Sequence, residues 1–312
     1  MISKRWVLYE VDRREQLALA AMLSISPITA SVLLARGVAT REQAYQWLSL
    51  GQAEMRDPFL LPGMERAVDR LHQAVAKREL ICFYGDYDVD GMAATSLYLS
   101  VFRHLGARAS WYIPHRLKEG YGLNEQVICR LAREGVTLLV TSDCGTTAHG
   151  EVETANRLGL DVIITDHHRG DEHLPPALAV LNPHRMDSIY PFKGLCSGGV
   201  AYKVVQAYQE KYGIHDFSLD LLLDLVALAT IADIVPLKDE NRYFVREGLT
   251  LMTRGARAGV RALKQAAGID RPCTTETVAF RIAPRINAAG RLAHADVGVQ
   301  LLTTESEMEA RE

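Results

Sequence analysis

At 312 residues, 48% hydrophobic and 23% charged, the chain has the make-up of an ordinary soluble globular protein with room for more than one lobe. A net charge of −3 excludes a polycation, so contact with nucleic acid has to come from a local basic patch or from a bound metal. Five scattered cysteines, never spaced C-x-x-C, exclude a zinc ribbon and suit a reducing cytoplasm. No apolar stretch reaches the roughly 18 residues of a membrane span, and "MISKRWVLYEVDRREQ" lacks the apolar core of a signal peptide. The expectation is a cytoplasmic protein with no membrane partner.

Residues 1–77 read as a helical segment. "ITASVLLARG" and "REQAYQWLSL" place apolar residues at helical spacing, with Gly37 as a stop. "MRDPFLLPGM" breaks the pattern with two prolines and leads into the amphipathic "MERAVDRLHQAVAKR". From residue 78 to 240 the rhythm changes. Strand-like runs at "LICFY", "RASWYI", "VTLLVTS", "DVIIT" and "LAVLN" alternate with helical "MAATSLYLSVFRHLG", "NEQVICRLAREG" and "GEVETANRLG". That alternation predicts an α/β fold, a parallel β-sheet flanked by helices on both faces. Residues 241–312 read as a helical extension leading into a connector helix. The helices after residue 198 are interrupted at "ADIVPL", "RPCTTE" and "APRINAAGR".

In "GDYDVDG", residues 85–91, Asp86, Asp88 and Asp90 crowd three carboxylates into five positions, which calls for a cation. An EF-hand fails: its twelfth position, which should be a bidentate Glu, is Leu97, and a strand rather than a helix precedes it. Open parallel sheets bind ligands beyond the carboxyl ends of their strands. There "VTLLVTS" delivers Asp143, and "DVIIT" delivers Asp166, His167 and His168. Asp233 ends the apolar "LATIADIVPL", a costly place for an unpaired charge. A lone Asp after a strand is most often a helix cap, and an adjacent His pair is more often surface or core than ligand. Caps do not account for the whole set. Asp90 is assigned to the turn or cap before the helix at Gly91 and is not counted as a ligand. Mixed carboxylates and imidazoles suit Mn²⁺ or Mg²⁺, and their number suffices for two ions about 3.5–4 Å apart, the arrangement of phosphoester hydrolysis.

The sequence resembles the DHH phosphoesterases, and within them the RecJ branch of single-strand-specific exonucleases. "GDYDVDG", "SDCGTT", "TDHH", "SGGVAYK" and "ATIADIVPL" look like successive family motifs; "PHRLKEGYGLN" and "RINAAGRL" resemble that branch. The resemblance covers roughly residues 55–312. It implies that Asp86, Asp88, Asp143, His167 and Asp233 bind metal, with Asp143 as the bridge. His168 would act at the phosphate or the leaving group, and Asp166 would orient the imidazoles. Arg116 and Tyr121 would meet the 5′ end of the strand, and Ser197, Arg285, Asn287 and Arg291 would also contact substrate. The implied activity is 5′→3′ exonuclease action on single-stranded DNA in recombination and repair, with single-strand-binding protein and other repair proteins as partners. A phosphatase of the same family acting on nanoRNA, pAp or pyrophosphate is an alternative, disfavoured by "RINAAGR". A non-catalytic replication scaffold is another, disfavoured by the intact ligand set. The family's DHH-associated and OB-fold domains have no counterpart here. The chain stops in "ESEMEARE", which reads as an unfinished helix, so those domains are expected beyond it.

Overall fold

Five strands form where short apolar runs meet charge or glycine, in a computed structural model that describes residues 5, 7, 9–48, 55–116, 119–292 and 296–312, without the side chains at 46 and 289–292. They are β1 (Leu80–Gly85), β2 (Arg108–Tyr112), β3 (Val136–Ser142), β4 (Asp161–Thr165) and β5 (Ala179–Leu181). All pair in parallel, in the order β2-β1-β3-β4-β5. Both faces are covered, which is why the strands read as continuous apolar runs.

Two compact units divide between Met55 and Arg56, earlier than the boundary at 77/78 expected from the sequence. The first holds α1 (Arg13–Leu23), α2 (Pro27–Leu34) and α3 (Arg41–Leu48). These helices close around Leu19, Ala30, Leu33, Val38 and Ala44. Gly37, the expected stop, lies three residues past α2 at a φ of 77°.

The second unit begins with α4 (Met64–Ala76), so this helix belongs with the sheet rather than with the N-terminal segment. Helices α5 (Val89–His104), α6 (Glu125–Arg133), α7 (His149–Arg157) and α8 (Ser197–Tyr212) complete the layers. Side chains alternate along β1. Cys82 and Tyr84 join Val127, Ile128 and Leu131 of α6 and Val152 of α7 on one face. Phe83 turns to α5 on the other, with ring centroids 5.1 Å from Tyr98 and 5.4 Å from Phe102. Asn124 starts α6 by accepting the N–H groups of Gln126 (2.9 Å) and Val127 (3.2 Å).

Then follow α9 (Leu223–Ala232), α10 (Glu240–Arg254), α11 (Ala258–Ala266), the single turn α12 (Thr275–Thr277), α13 (Ala283–Leu292), α14 (Asp296–Thr303) and α15 (Glu307–Arg311). "APRINAAGR" is no interruption, contrary to the sequence reading. It is the body of α13, entered through a π-helical turn over Val278–Ile282. Pro284 lies inside a continuous helical run over residues 275–292, directly after the π-helical turn that accommodates a residue without an N–H. Among the described residues no single helix is long and apolar enough to cross a membrane.

Helix α9 is apolar and almost wholly buried, and its packing on α10 sets where Asp233, its C-cap, emerges. Gly248 of α10 lies against the backbone of α9; a Cβ there would collide with the carbonyl of Leu223 and the methyl of Ala227. Gly248→Ala should therefore destabilise the chain by about 1–3 kcal/mol, the cost of overpacking, as measured by chemical denaturation.

Candidate metal centre

The hydrogen-bond ladder of the sheet continues one residue past three of its strands. The N–H of Asp86 donates to Ser142 O at 3.0 Å, that of Asp143 to Thr165 O at 3.0 Å, and that of Asp166 to Leu181 O at 3.1 Å. Three aspartates thus leave the sheet side by side at its carboxyl edge. The position is also where strand order reverses, between β1 and β3. Gly91 makes the first loop possible: a Cβ there would lie 2.5 Å from the backbone N and O of Asp86.

Asp88 is the N-cap of α5, accepting the N–H of Gly91 at 3.1 Å. The role assigned to Asp90 from sequence is therefore taken by its neighbour. Asp90 is 1% exposed, and its carboxylate accepts the N–H groups of Ser197 and Gly198, each at 2.7 Å. It caps the N-terminus of α8, whose own N-cap residue Cys196 makes no side-chain capping bond. Ser197, expected to meet substrate, is instead fully buried, and its hydroxyl donates to Asp143 Oδ1 at 3.0 Å.

Asp166 holds the backbone of both histidines and the ring of His168. Its Oδ1 accepts the N–H groups of His167 (2.7 Å) and His168 (3.1 Å) and lies 2.8 Å from His168 Nδ1. Its Oδ2 accepts the N–H (3.0 Å) and hydroxyl (2.7 Å) of Thr146. Asn182 Nδ2 ties this together, donating to Thr146 Oγ1 at 3.0 Å and to the His168 carbonyl at 2.8 Å. Burial works to raise the Asp166 carboxyl, but the bonds from His168 and Thr146 outweigh it and hold it below the usual range. The same bond raises His168. Tyr121 completes the rim: its hydroxyl donates to the Asp143 carbonyl at 3.0 Å and lies 3.2 Å from His168 Nδ1.

Three groups of side chains bring their ligand atoms within 4.8 Å of one another: Asp86, Asp88 and Asp143; Asp143, His167 and His168; and Asp90, His167 and Asp233. Asp143 and His167 each belong to two of them. His167 Nε2 lies 3.2 Å from Asp143 Oδ1 and 3.6 Å from both Asp90 Oδ2 and Asp233 Oδ2. It is buried without a hydrogen bond, as is Asp86 Oδ1. Buried lone pairs without donors, in a set of oxygens and imidazoles, fit a divalent ion of the Mn²⁺ or Mg²⁺ kind. Burial and then Asp88 push the Asp86 carboxyl up to about 7. Burial and then Asp90 push Asp233 up to about 6. Asp143 is raised well above the ordinary range by burial, then by Asp90 and Asp88. Cys144 and Cys196, buried beside Asp143 and Ser197, enter none of the groups, and burial raises their thiols well above the usual value.

All five residues expected as ligands fall in these groups, and Asp90 and His168 join them. Asp90 was the donor missed from sequence. Its alternate spacing with Asp86 and Asp88 was the available signal. The guanidinium of Arg116 stacks over Tyr87, 4.8 Å from the ring centroid, next to Asp86 in the chain. Among the described residues no hydrogen bond links Arg285 or Asn287 to the cluster; Arg285 donates back to the Arg281 carbonyl at 2.6 Å. The Arg291 side chain lies outside the described residues.

A family model described as the DHH family, N-terminal domain, matches residues 80–230. The chain is 42% identical, over 99% of its length, to the single-stranded-DNA-specific exonuclease RecJ of Bacillus subtilis, and covers 38% of that protein. With the protein of the same description from Thermus thermophilus it shares 36% identity over 93% of its length and 41% of the relative's. The crystal structure of RecJ in complex with Mn²⁺ from Thermus thermophilus superposes with a TM-score of 0.82 at 31% identity, covering 97% of this chain and 43% of that one. A crystal structure of exonuclease RecJ bound to manganese gives 0.74 at 37%, covering 80% and 63%. The chain thus spans about two fifths of the length of the two named relatives.

A carboxyl raised by folding favours the folded state only while it is protonated. Stability from Asp86 is present below about pH 4 and is lost as pH rises through about 7. In protein stripped of divalent ions, Asp86→Asn should therefore raise Tm at pH 8, by the equivalent of up to about 4 kcal/mol, and leave it unchanged near pH 4. Thermal melts across that range check it.

Proposed function

We propose that the chain, whose residues 80–230 match the DHH-family model, is the metal-dependent catalytic part of a 5′→3′ exonuclease acting on single-stranded DNA. One observation carries the reading: Asp143 and His167 are each shared between candidate ligand groups at the carboxyl edge of the sheet, as a site for adjacent cations requires. Asp86, Asp88, Asp143, His167 and Asp233 would hold two Mn²⁺ or Mg²⁺ ions, with Asp143 common to both and Asp90 alongside. Bound ions supply positive charge and Lewis acidity at the scissile phosphate.

The chain's own groups supply the rest. His168, held by Asp166 and raised in pKa, carries a proton at the site edge, where it meets a phosphate oxygen or the departing oxygen. Asp166 fixes the direction of the His168 ring and holds the backbone N–H groups of both histidines, the kind of support metal-site His usually require. Arg116 on Tyr87 offers a cation to the 5′ end, and Tyr121, half exposed, offers an aromatic ring for stacking. Arg285, Asn287 and Arg291, on α13, would meet backbone phosphates farther along the strand. Partners beyond the strand would be single-strand-binding protein and other repair proteins. The five free cysteines fit work in the cytoplasm.

The test is cleavage of end-labelled single strands in Mn²⁺. Asp143→Asn should keep its Tm within a few degrees yet lose at least roughly 100-fold in rate, since altering even a supporting partner of a metal ligand costs 10–100-fold. Mononucleotides should leave from the 5′ end, and Arg116→Ala should weaken cleavage of 5′-phosphorylated strands more than it weakens Mn²⁺ binding. Near wild-type turnover of Asp143→Asn, or degradation from the 3′ end, would overturn the proposal.

A further inference from the structure

Ile234 breaks two local rules at once. It sits in the left-handed region at φ 59°, which costs a β-branched residue about 1–2 kcal/mol. Its side chain is also 88% exposed, more than any other large apolar residue described. A turn that needed only this backbone shape would be met by Gly or Asn, and an exposed side chain returns no packing energy.

The strain is imposed from outside the residue. The N–H of Ile234 donates to Ile231 O at 3.3 Å, closing the end of α9. Two residues on, the Pro236 carbonyl accepts from Asn241 Nδ2 at 2.9 Å, and the same amide holds the Gly194 carbonyl at 2.6 Å. Asp239, also at a positive φ of 47°, is gripped by Arg56 through bonds of 3.2 and 2.8 Å. The 233–239 loop is a fixture rather than a slack connection, the condition under which backbone strain persists.

Its place decides what it can touch. Asp233, the residue before it, belongs to the Asp90, His167 and Asp233 group. Successive Cα atoms are about 3.8 Å apart, so a branched aliphatic side chain stands in solvent beside that group. Even counting Leu237, 39% exposed in the same loop, the apolar area beside these carboxylates is too small for a protein partner. It matches the apolar face of a nucleotide whose phosphate is drawn to the metal site. We infer that Ile234 is a strand-contacting residue, packing against the sugar and base of the nucleotide at the Asp233 side of the centre. The inference rests on the single-strand reading above.

Ile234→Gly and Ile234→Asn both accept the left-handed conformation, so neither has to disturb the loop. Three measurements on each decide the matter: Tm without nucleic acid, Mn²⁺ affinity by calorimetry, and KM and kcat for a single-stranded oligonucleotide in Mn²⁺. Expected are a Tm at or above wild type, Mn²⁺ affinity within about twofold, and KM raised about tenfold, the scale of burying one aliphatic side chain. An unchanged KM overturns the inference while leaving the single-strand reading intact. A fall in Mn²⁺ affinity overturns it too, by showing that Ile234 acts through Asp233, and a Tm lowered by several degrees marks a purely structural role. Wild-type protein that cleaves no single strand takes down both.

Discussion

A single buried carboxylate ties the centre to the rest of the fold. Asp90 sits in the first turn of α5, yet its two oxygens close the N-terminus of α8, 107 and 108 residues away in the chain. The same group faces His167 from 3.6 Å. The two helices that cover one face of the sheet are therefore joined at the point where the ligand-bearing loops converge. Burial pushes the Asp90 carboxyl up, and the amide groups of α8 that point at it offset part of that cost. Ser197 extends the joint, since its N–H serves Asp90 and its hydroxyl serves Asp143.

The two adjacent imidazoles divide their work through their partners. His168 has its Nδ1 committed to Asp166 and Tyr121 and remains 48% exposed as a side chain. His167 keeps Nε2 open among three carboxylates. Thr146, itself held by Asn182, matters to both, because it fixes the aspartate that holds both backbone N–H groups and the His168 ring. Thr146, Asp166 and Asn182, which make the supporting bonds behind the two histidines, are all buried.

Much of this was legible in the sequence, for a physical reason. Strands covered on both faces must be apolar throughout, so "LICFY" and "DVIIT" declare themselves, and the polar residues that follow them mark the carboxyl edge. What stayed hidden depends on contacts between distant parts of the chain. The helix that Asp90 caps cannot be read from its neighbours, and a serine in "SGGVAYK" does not disclose that α9 will bury it. The continuity of the helix through "APRINAAGR" depends on the π-helical turn just before Pro284, which the sequence does not announce. The reach of α4 into the sheet unit was likewise invisible, because its apolar stripe does not say what it packs against.

The two thiols behind the centre have a chemical consequence of their own. Peroxide oxidises cysteine through the thiolate, on the way to sulfenic and sulfinic acids. Cys144 and Cys196 are buried and held in the neutral form, so oxidant arriving at the metal loops meets sulfur in its unreactive state. Cys129 of α6 is the only one of the five that is not buried. Oxidation of a cysteine therefore begins at Cys129 on α6 rather than at the thiols beside the ligands.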